Sequence, residues 1–306
     1  MTPDGTSSVG IPAPDYRLPG ESRVGRVRLQ VSDLERSLRF YEGLLGFRVL
    51  VRSARHALLG PSTGKRELVE LHASPGVRST PGTGRLGLYH FAILLPQRAA
   101  LGRILAHLGE RGVSPGMADH AVSEALYLTD PDGLGVEIYA DRPPNEWLRR
   151  GHELLMVTEP LDVESLLREG GGEPWHGMPA ETTIGHVHLH VGDLDRASSF
   201  YHGALGLDRM VWSYRGALFL AAGGYHHHLG LNTWAGPHAT APADDEARLL
   251  DWEIMLPHGE ELPKLVRSLD GAGFAARIDE EGAVETRDPW GTELRIRSTR
   301  PETREG

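Results

Sequence analysis

A histidine, a tyrosine and a strand carboxylate are set around one tight turn in a short stretch: His120, Tyr127 and Glu137 in DHAVSEALYLTDPDGLGVEIY at 119–139. Between the tyrosine and the glutamate lies the turn tetrad Asp130-Pro131-Asp132-Gly133. Its flanks, Ala125 to Thr129 and Leu134 to Tyr139, are apolar and β-prone, so the stretch reads as a hairpin. Glu137 stands between Val136 and Ile138, and strand alternation sends it to the opposite face from both. A carboxylate there either faces water or, if buried, must be paired, protonated or metal-bound. The run Gly223-Gly224-Tyr225-His226-His227-His228 is the second concentration of chemistry. It is either a surface cluster or, because Leu229-Gly230-Leu231 follows it, the start of a strand that lines a site.

The elements that must position these groups recur along the chain. Residues 1–22 are rich in Pro, Gly and Ser and read as a flexible arm. Val24 to Val31 alternates like a strand, Asp33 is a plausible N-cap, and Leu34, Leu38, Tyr41 and Leu45 recur at helical spacing before Gly46. Strand candidates follow near 47–52, 55–60 and 66–73. A second unit opens at GLYHFAILL from Gly87, has its helix near Ala99 to Glu110, and closes on the hairpin. Residues 143–180 form a connector with one short helix candidate, Val163 to Arg168. The chain then repeats. IGHVHLHVGDLDRASSFYHGALGL at 184–207 echoes VGRVRLQVSDLERSLRFYEGLLGF at 24–47, and RDPWGTELRI echoes TDPDGLGVEI, at an offset near 160 residues. Two homologous domains are expected, over 23–142 and 181–300, each with two strand–helix–three-strand units.

Composition removes several classes. With 24% charged and 40% apolar residues the chain reads as globular, and a net charge of −10 opposes nucleic acid or an anionic membrane surface as partner. There is no cysteine, which excludes disulfides, thiolate metal sites and cysteine nucleophiles, and leaves sixteen histidines as the soft ligands. The N-terminal MTPDGTSSVGIPAPDY lacks a basic start and an apolar core, and no apolar run reaches a membrane span, so a cytoplasmic location is expected.

The order of His120, Leu126, Tyr127, Asp130, Pro131, Gly133 and Glu137 resembles the extradiol ring-cleavage dioxygenase signature, with Ala118 the one departure from it. Four strand–helix–three-strand units, with Val-x-Asp-Leu after the first strand of each half, resemble the vicinal oxygen chelate superfamily from about 24 to 297. The resemblance implies an α+β fold of two tandem glyoxalase/extradiol-dioxygenase domains, four βαβββ units in all. Units would pair into cups, with metal ligands on the first and last strands. Those positions hold Arg26 and Glu70 in unit one, His90 and Glu137 in unit two, His186 and Gly230 in unit three, and Asp251 or Trp252 and Arg295 in unit four. Pairing units two and three gathers His90, Glu137 and His186, the two-histidine, one-carboxylate set suited to non-haem Fe(II). Pairing units one and four leaves Arg26, Glu70, Asp251 and Arg295, expected to satisfy one another as ion pairs. The competing set within the first half is Glu70, His90 and Glu137, a glyoxalase-type arrangement with Arg26 in place of a histidine.

The words GLYHFAILLP, DHAVSEALYL, GHVHLHV and AGGYHHHLGLNTWAG are similar to the catechol 2,3-dioxygenase branch found in bacilli. That resemblance implies an enzyme opening a catechol with O₂ to a 2-hydroxymuconic semialdehyde. Fe(II), or alternatively Mn(II), would sit on His90, His186 and Glu137. It also implies His227 as the acid–base group, with His228 as the alternative one residue on, and Tyr127 and His120 as hydrogen-bonding groups beside the metal. His188 shares a strand face with His186 and has no assigned role. The partners implied are a small aromatic diol and O₂, with no nucleic acid or membrane and with homo-oligomerisation open. The alternatives are a glyoxalase-like metal isomerase and an aromatic-compound binding or resistance protein on the same fold.

Overall fold

The computed structural model of the chain describes residues 9–299. Unit one comprises β1 (Arg23–Val31), α1 (Leu34–Leu38), β2 (Arg48–Arg52), β3 (His56–Gly60) and β4 (Val69–Ala73). Unit two comprises β5 (Gly87–Leu94), α2 (Arg98–Glu110), β6 (Gly116–Asp119), β7 (Ser123–Thr129) and β8 (Gly135–Asp141). The connector carries β9 (Arg149–Arg150), β10 (Glu153–Leu154) and α3 (Val163–Gly170). Unit three is β11 (Thr183–His190), α4 (Leu194–Ser198), β12 (Asp208–Val211), β13 (Ala217–Ala221) and β14 (Leu229–Asn232). Unit four is β15 (Arg248–Leu256), α5 (Leu262–Gly271), β16 (Ala276–Ile278), β17 (Val284–Arg287) and β18 (Glu293–Ser298).

The repeat in sequence is a repeat in local structure. Asp33 caps α1 by accepting from the Arg36 N–H at 2.9 Å, and Asp193 caps α4 from the Arg196 N–H at 2.7 Å. Both helices then widen by one residue, the Leu45 N–H donating to the Phe40 carbonyl at 2.9 Å and the Leu205 N–H to Phe200 at 2.8 Å. Gly46 stops the first of them at φ +83°, where an added Cβ would lie 2.5 Å from Gly177 Cα.

In every unit the first strand pairs parallel with the last, β1 with β4, β5 with β8, β11 with β14 and β15 with β18, which requires the chain to cross over between them. The units then join across the repeat. Antiparallel pairing of β1 with β15 builds one eight-stranded sheet from the outer units one and four; β5 with β11 builds the other from the inner units two and three. One continuous apolar core binds the sheets, reaching from Val27 and Trp252 to Phe91 and Val187. Each sequence half is also stapled between its own units. Tyr41 donates to Asp130 at 3.0 Å, and Tyr201 to Asp288 at 3.1 Å, all four buried.

Two expectations change. Residues 9–22 of the expected flexible arm are docked along unit three: Ile11 pairs with Arg209, the Leu18 N–H donates to the Gly206 carbonyl at 2.9 Å, and Arg17 holds Asp208. Their partners lie some two hundred residues away, so local composition carries no sign of them; residues 1–8 lie outside the described residues. The four-way ion cluster is also redistributed. Arg26 does bind Glu70, at 2.8 Å, but its other partners are Glu67 and Glu253. Asp251 pairs with Arg28 at 2.5 Å, because strand register sets Arg28 opposite it, and Arg295 pairs with Asp279. Among the described residues no helix is long and apolar enough to cross a membrane.

Candidate metal centre

Strand register assembles the inner site over one small residue. Ala92 of β5 lies beside Glu137 of β8 on one side and beside His186 of β11 on the other. His90, two residues along β5, shares the face of Ala92. The Glu137 Oε2 is consequently 2.9 Å from His90 Nε2 and 3.1 Å from His186 Nε2, with all three side chains buried. Burial opposes ionisation of Glu137, but His186 and His90 beside it overcome that and hold its carboxyl well below the usual range. Burial pushes the His186 imidazole down to about 4, so it is neutral at pH 7, as a ligand must be.

These residues fit a divalent metal. Among the described residues, the buried His90 Nε2 has no well-formed hydrogen bond despite its closeness to the carboxylate. One carboxylate oxygen and two imidazole nitrogens converge with one side open, a set able to hold a divalent metal on one face. The fourth homologous position, Gly230, lies opposite His188, and a Cβ there would come 2.8 Å from the His188 ring. His188 fills that space without joining the three; its Nε2 accepts from Asn232 Nδ2 at 3.0 Å. Burial keeps its imidazole neutral.

A cavity of about 450 Å³ opens onto the three donors, and Tyr127, His120 and His227 stand in its wall. Tyr127 faces Glu137 across the β7–β8 ladder. Burial, reinforced by the Glu137 charge, raises its phenol well above 10, so it stays protonated. His120 Nδ1 lies 2.6 Å from the Val157 carbonyl, which can only accept, so Nδ1 carries the proton. His120 Nε2 therefore accepts from the Tyr127 hydroxyl at 2.7 Å. The His227 ring lies 4.1 Å from that of His186, and burial keeps it neutral. His228 turns away, its Nδ1 accepting from the Ala222 N–H at 3.2 Å, and it is absent from the cavity wall. Tyr89, Met117, Met156, Tyr214, Phe219 and Trp234 supply the large apolar and aromatic side chains of the remaining wall, and among the described residues no Lys or Arg lines it.

Sequence reasoning missed the groups behind His227. His226 bridges His227 Nδ1 at 2.7 Å and Asp141 Oδ1 at 2.8 Å. Both were findable, His226 as the first of the three adjacent histidines and Asp141 as the acidic end of the strand that holds Glu137. The competing set is not formed: Glu70 lies in the outer sheet and binds His56 and His72 there, away from His90 and Glu137.

The comparisons with known proteins agree with this architecture. The model of the Glyoxalase/Bleomycin resistance protein/Dioxygenase superfamily matches residues 23–138 and 183–293. A Bacillus subtilis (strain 168) protein named catechol-2,3-dioxygenase is 46% identical over 272 residues, which are 88% of this chain and 94% of that protein. Among solved structures, a candidate dioxygenase of Bacillus subtilis strain 168 superposes with a TM-score of 0.62 at 14% identity, over 94% of this chain and 87% of that one. Glyoxalase I from Zea mays gives 0.53 at 18% identity, over 90% and 92%. Four units of one βαβββ plan, matched in both halves, make this chain a member of the glyoxalase/bleomycin resistance protein/dioxygenase superfamily.

Proposed function

We propose that the protein is an extradiol ring-cleaving dioxygenase of the catechol 2,3-dioxygenase type, using Fe(II) held by His90, Glu137 and His186. The observation that carries this reading is the convergence of those three donors on a cavity whose wall also holds His227, Tyr127 and His120. The 46% identical relative named catechol-2,3-dioxygenase supports it. Held there, Fe(II), or Mn(II) in its place, would supply a redox-active Lewis acid with positions free for a catecholate and O₂. The chain's residues do the rest. The wall, free of Lys and Arg among the described residues and rich in aromatic rings around Glu137, receives the flat ring and excludes water from it. His227 takes a proton from one catechol hydroxyl and later returns it as general acid. The Tyr127–His120 pair orients an oxygen beside Glu137. Both atoms of O₂ enter the product, a 2-hydroxymuconic semialdehyde, and no outside reductant is consumed. The domain limits 23–142 and 181–300 and a cytoplasmic location belong to the same proposal, the limits supported by the two matched segments.

The test is O₂ uptake by chain loaded with Fe(II) without air, then given catechol and air. One O₂ consumed per catechol, with a yellow ring-opened product, is the expected result. Iron bound at His90, Glu137 and His186 without O₂ uptake on any catechol would overturn it.

A further inference from the structure

The outer sheet holds a second arrangement of the same donor types, and the reaction proposed for the inner site has no use for it. We propose that His56, Glu70 and His72 form a separate divalent-metal site of zinc type at the β3–β4 hairpin. Glu70 and His72 are two apart on β4 and so share a face, and the ladder sets His56 of β3 directly opposite His72. One carboxylate oxygen, Glu70 Oε1, lies 3.0 Å from His56 Nε2 and 2.5 Å from His72 Nε2. That is the pattern of the inner site, where Glu137 Oε2 is shared by two Nε2 atoms at 2.9 and 3.1 Å. A tetrahedral zinc ion with bonds near 2.0 Å separates its ligand atoms by about 3.3 Å, so the two contacts of Glu70 Oε1 would lengthen by less than about an ångström on its entry.

Three further features favour an ion here. The second oxygen of Glu70 is fixed by Arg26 at 2.8 Å, so the carboxylate cannot swing away. The charge of Arg26 is itself shared with Glu67 and Glu253, and with Arg297 also on Glu253 the three carboxylates, Glu67, Glu70 and Glu253, still outnumber the two guanidiniums. The histidine side chains are 29% and 35% exposed, so an ion can enter from solvent and complete its shell with water. The ligands come from one hairpin of one unit, whereas the inner site needs strands from two. The two sites can therefore be separated by mutation, and this inference does not rest on the dioxygenase reading.

Equilibrium dialysis of the full, untagged chain against Zn²⁺, followed by elemental analysis, tests it. Two equivalents are expected for the parent and one for the His56→Gln/His72→Gln double variant. Glu137→Gln is expected to lose the other equivalent, and the triple variant both. Retention of the inner equivalent shows that the double variant is folded, and its Fe(II)-supported O₂ uptake should match the parent's. A parent that binds one equivalent, or a second equivalent that survives in the double variant, overturns the site.

Discussion

Protonation at the cavity wall is dictated by a line of acceptors that ends on a carboxylate. Asp141 accepts from the Tyr225 hydroxyl and from His226 Nε2, so His226 carries its proton on Nε2. In the neutral ring His226 Nδ1 is then the acceptor, and the 2.7 Å contact sets the proton on His227 Nδ1. The remaining nitrogen, His227 Nε2, is left as a free base. Replacing His226 by Phe removes the acceptor that selects this tautomer. Turnover should fall roughly tenfold, part of the ~10²–10⁴ that general acid–base catalysis contributes, with KM for catechol and iron content unchanged; stopped-flow turnover with metal analysis checks both. Glu137→Gln should behave oppositely and lose iron, because two imidazoles would then face a neutral amide. Unchanged iron content in that variant would remove Glu137 from the ligand set. In sequence, Glu137 was legible as a lone carboxylate in an apolar strand. Which of His227 and His228 lines the cavity was not, because the run just before β14 lies outside the regular alternation of a strand, so spacing alone does not fix which side chain faces inward.

At the scale of elements, the Tyr–Asp staple gives the fold a pH dependence. Asp130 accepts from the Asp132 and Leu134 N–H groups and from Tyr41, yet burial pushes its carboxyl up to about 6. A carboxyl whose folded-state value exceeds the unfolded ~3.9 binds more protons in the native state between those limits. Its contribution therefore favours folding below about pH 4 and is lost as pH rises towards 6. Asp130→Asn keeps the acceptor for the backbone and the size of the side chain but cannot ionise. Its stability relative to the parent should rise by up to roughly 3 kcal/mol between pH 4 and 7, two pKa units at ~1.4 kcal/mol each. Urea unfolding at stepped pH measures this, and a difference independent of pH would refute it. Tyr41→Phe should cost about 1–2 kcal/mol through one lost buried hydrogen bond. The elements themselves were legible: Asp33, the apolar spacing and Gly46 foretold α1, and the turn tetrad foretold β7 and β8. The docked segment from Ile11 to Leu18 was not, since what orders it is backbone pairing to Gly206 and Arg209.

For the whole molecule, the decisive feature is that the repeat in sequence is not the unit of pairing. The first half supplies His90 and Glu137 and the second supplies His186, because β5, paired on one edge with β8 of its own unit, pairs on its other edge with β11 of the opposite half rather than with β1. Leaving the other ligand positions to Arg26, Glu70, Asp251 and Arg295 made this pairing readable before the structure. What replaced the expected outer cluster was set by registers such as Arg28 opposite Asp251, which composition cannot reveal. A metal in the inner site must then act as a clamp between the halves and report on global stability. At a hundredfold excess over its dissociation constant, an ion that binds only the native state adds about 2.7 kcal/mol. For a chain of this size that is a rise in Tm of roughly 5 °C. The comparison is best made in the His56→Gln/His72→Gln background, so that only the inner site responds. Chelated and Fe(II)-loaded protein should differ by that amount under argon, and the difference should vanish in His186→Gln and in Glu137→Gln alike. If His186→Gln kept the full shift, the ligands would come from one half alone, and the pairing of inner units would have no part in holding the metal.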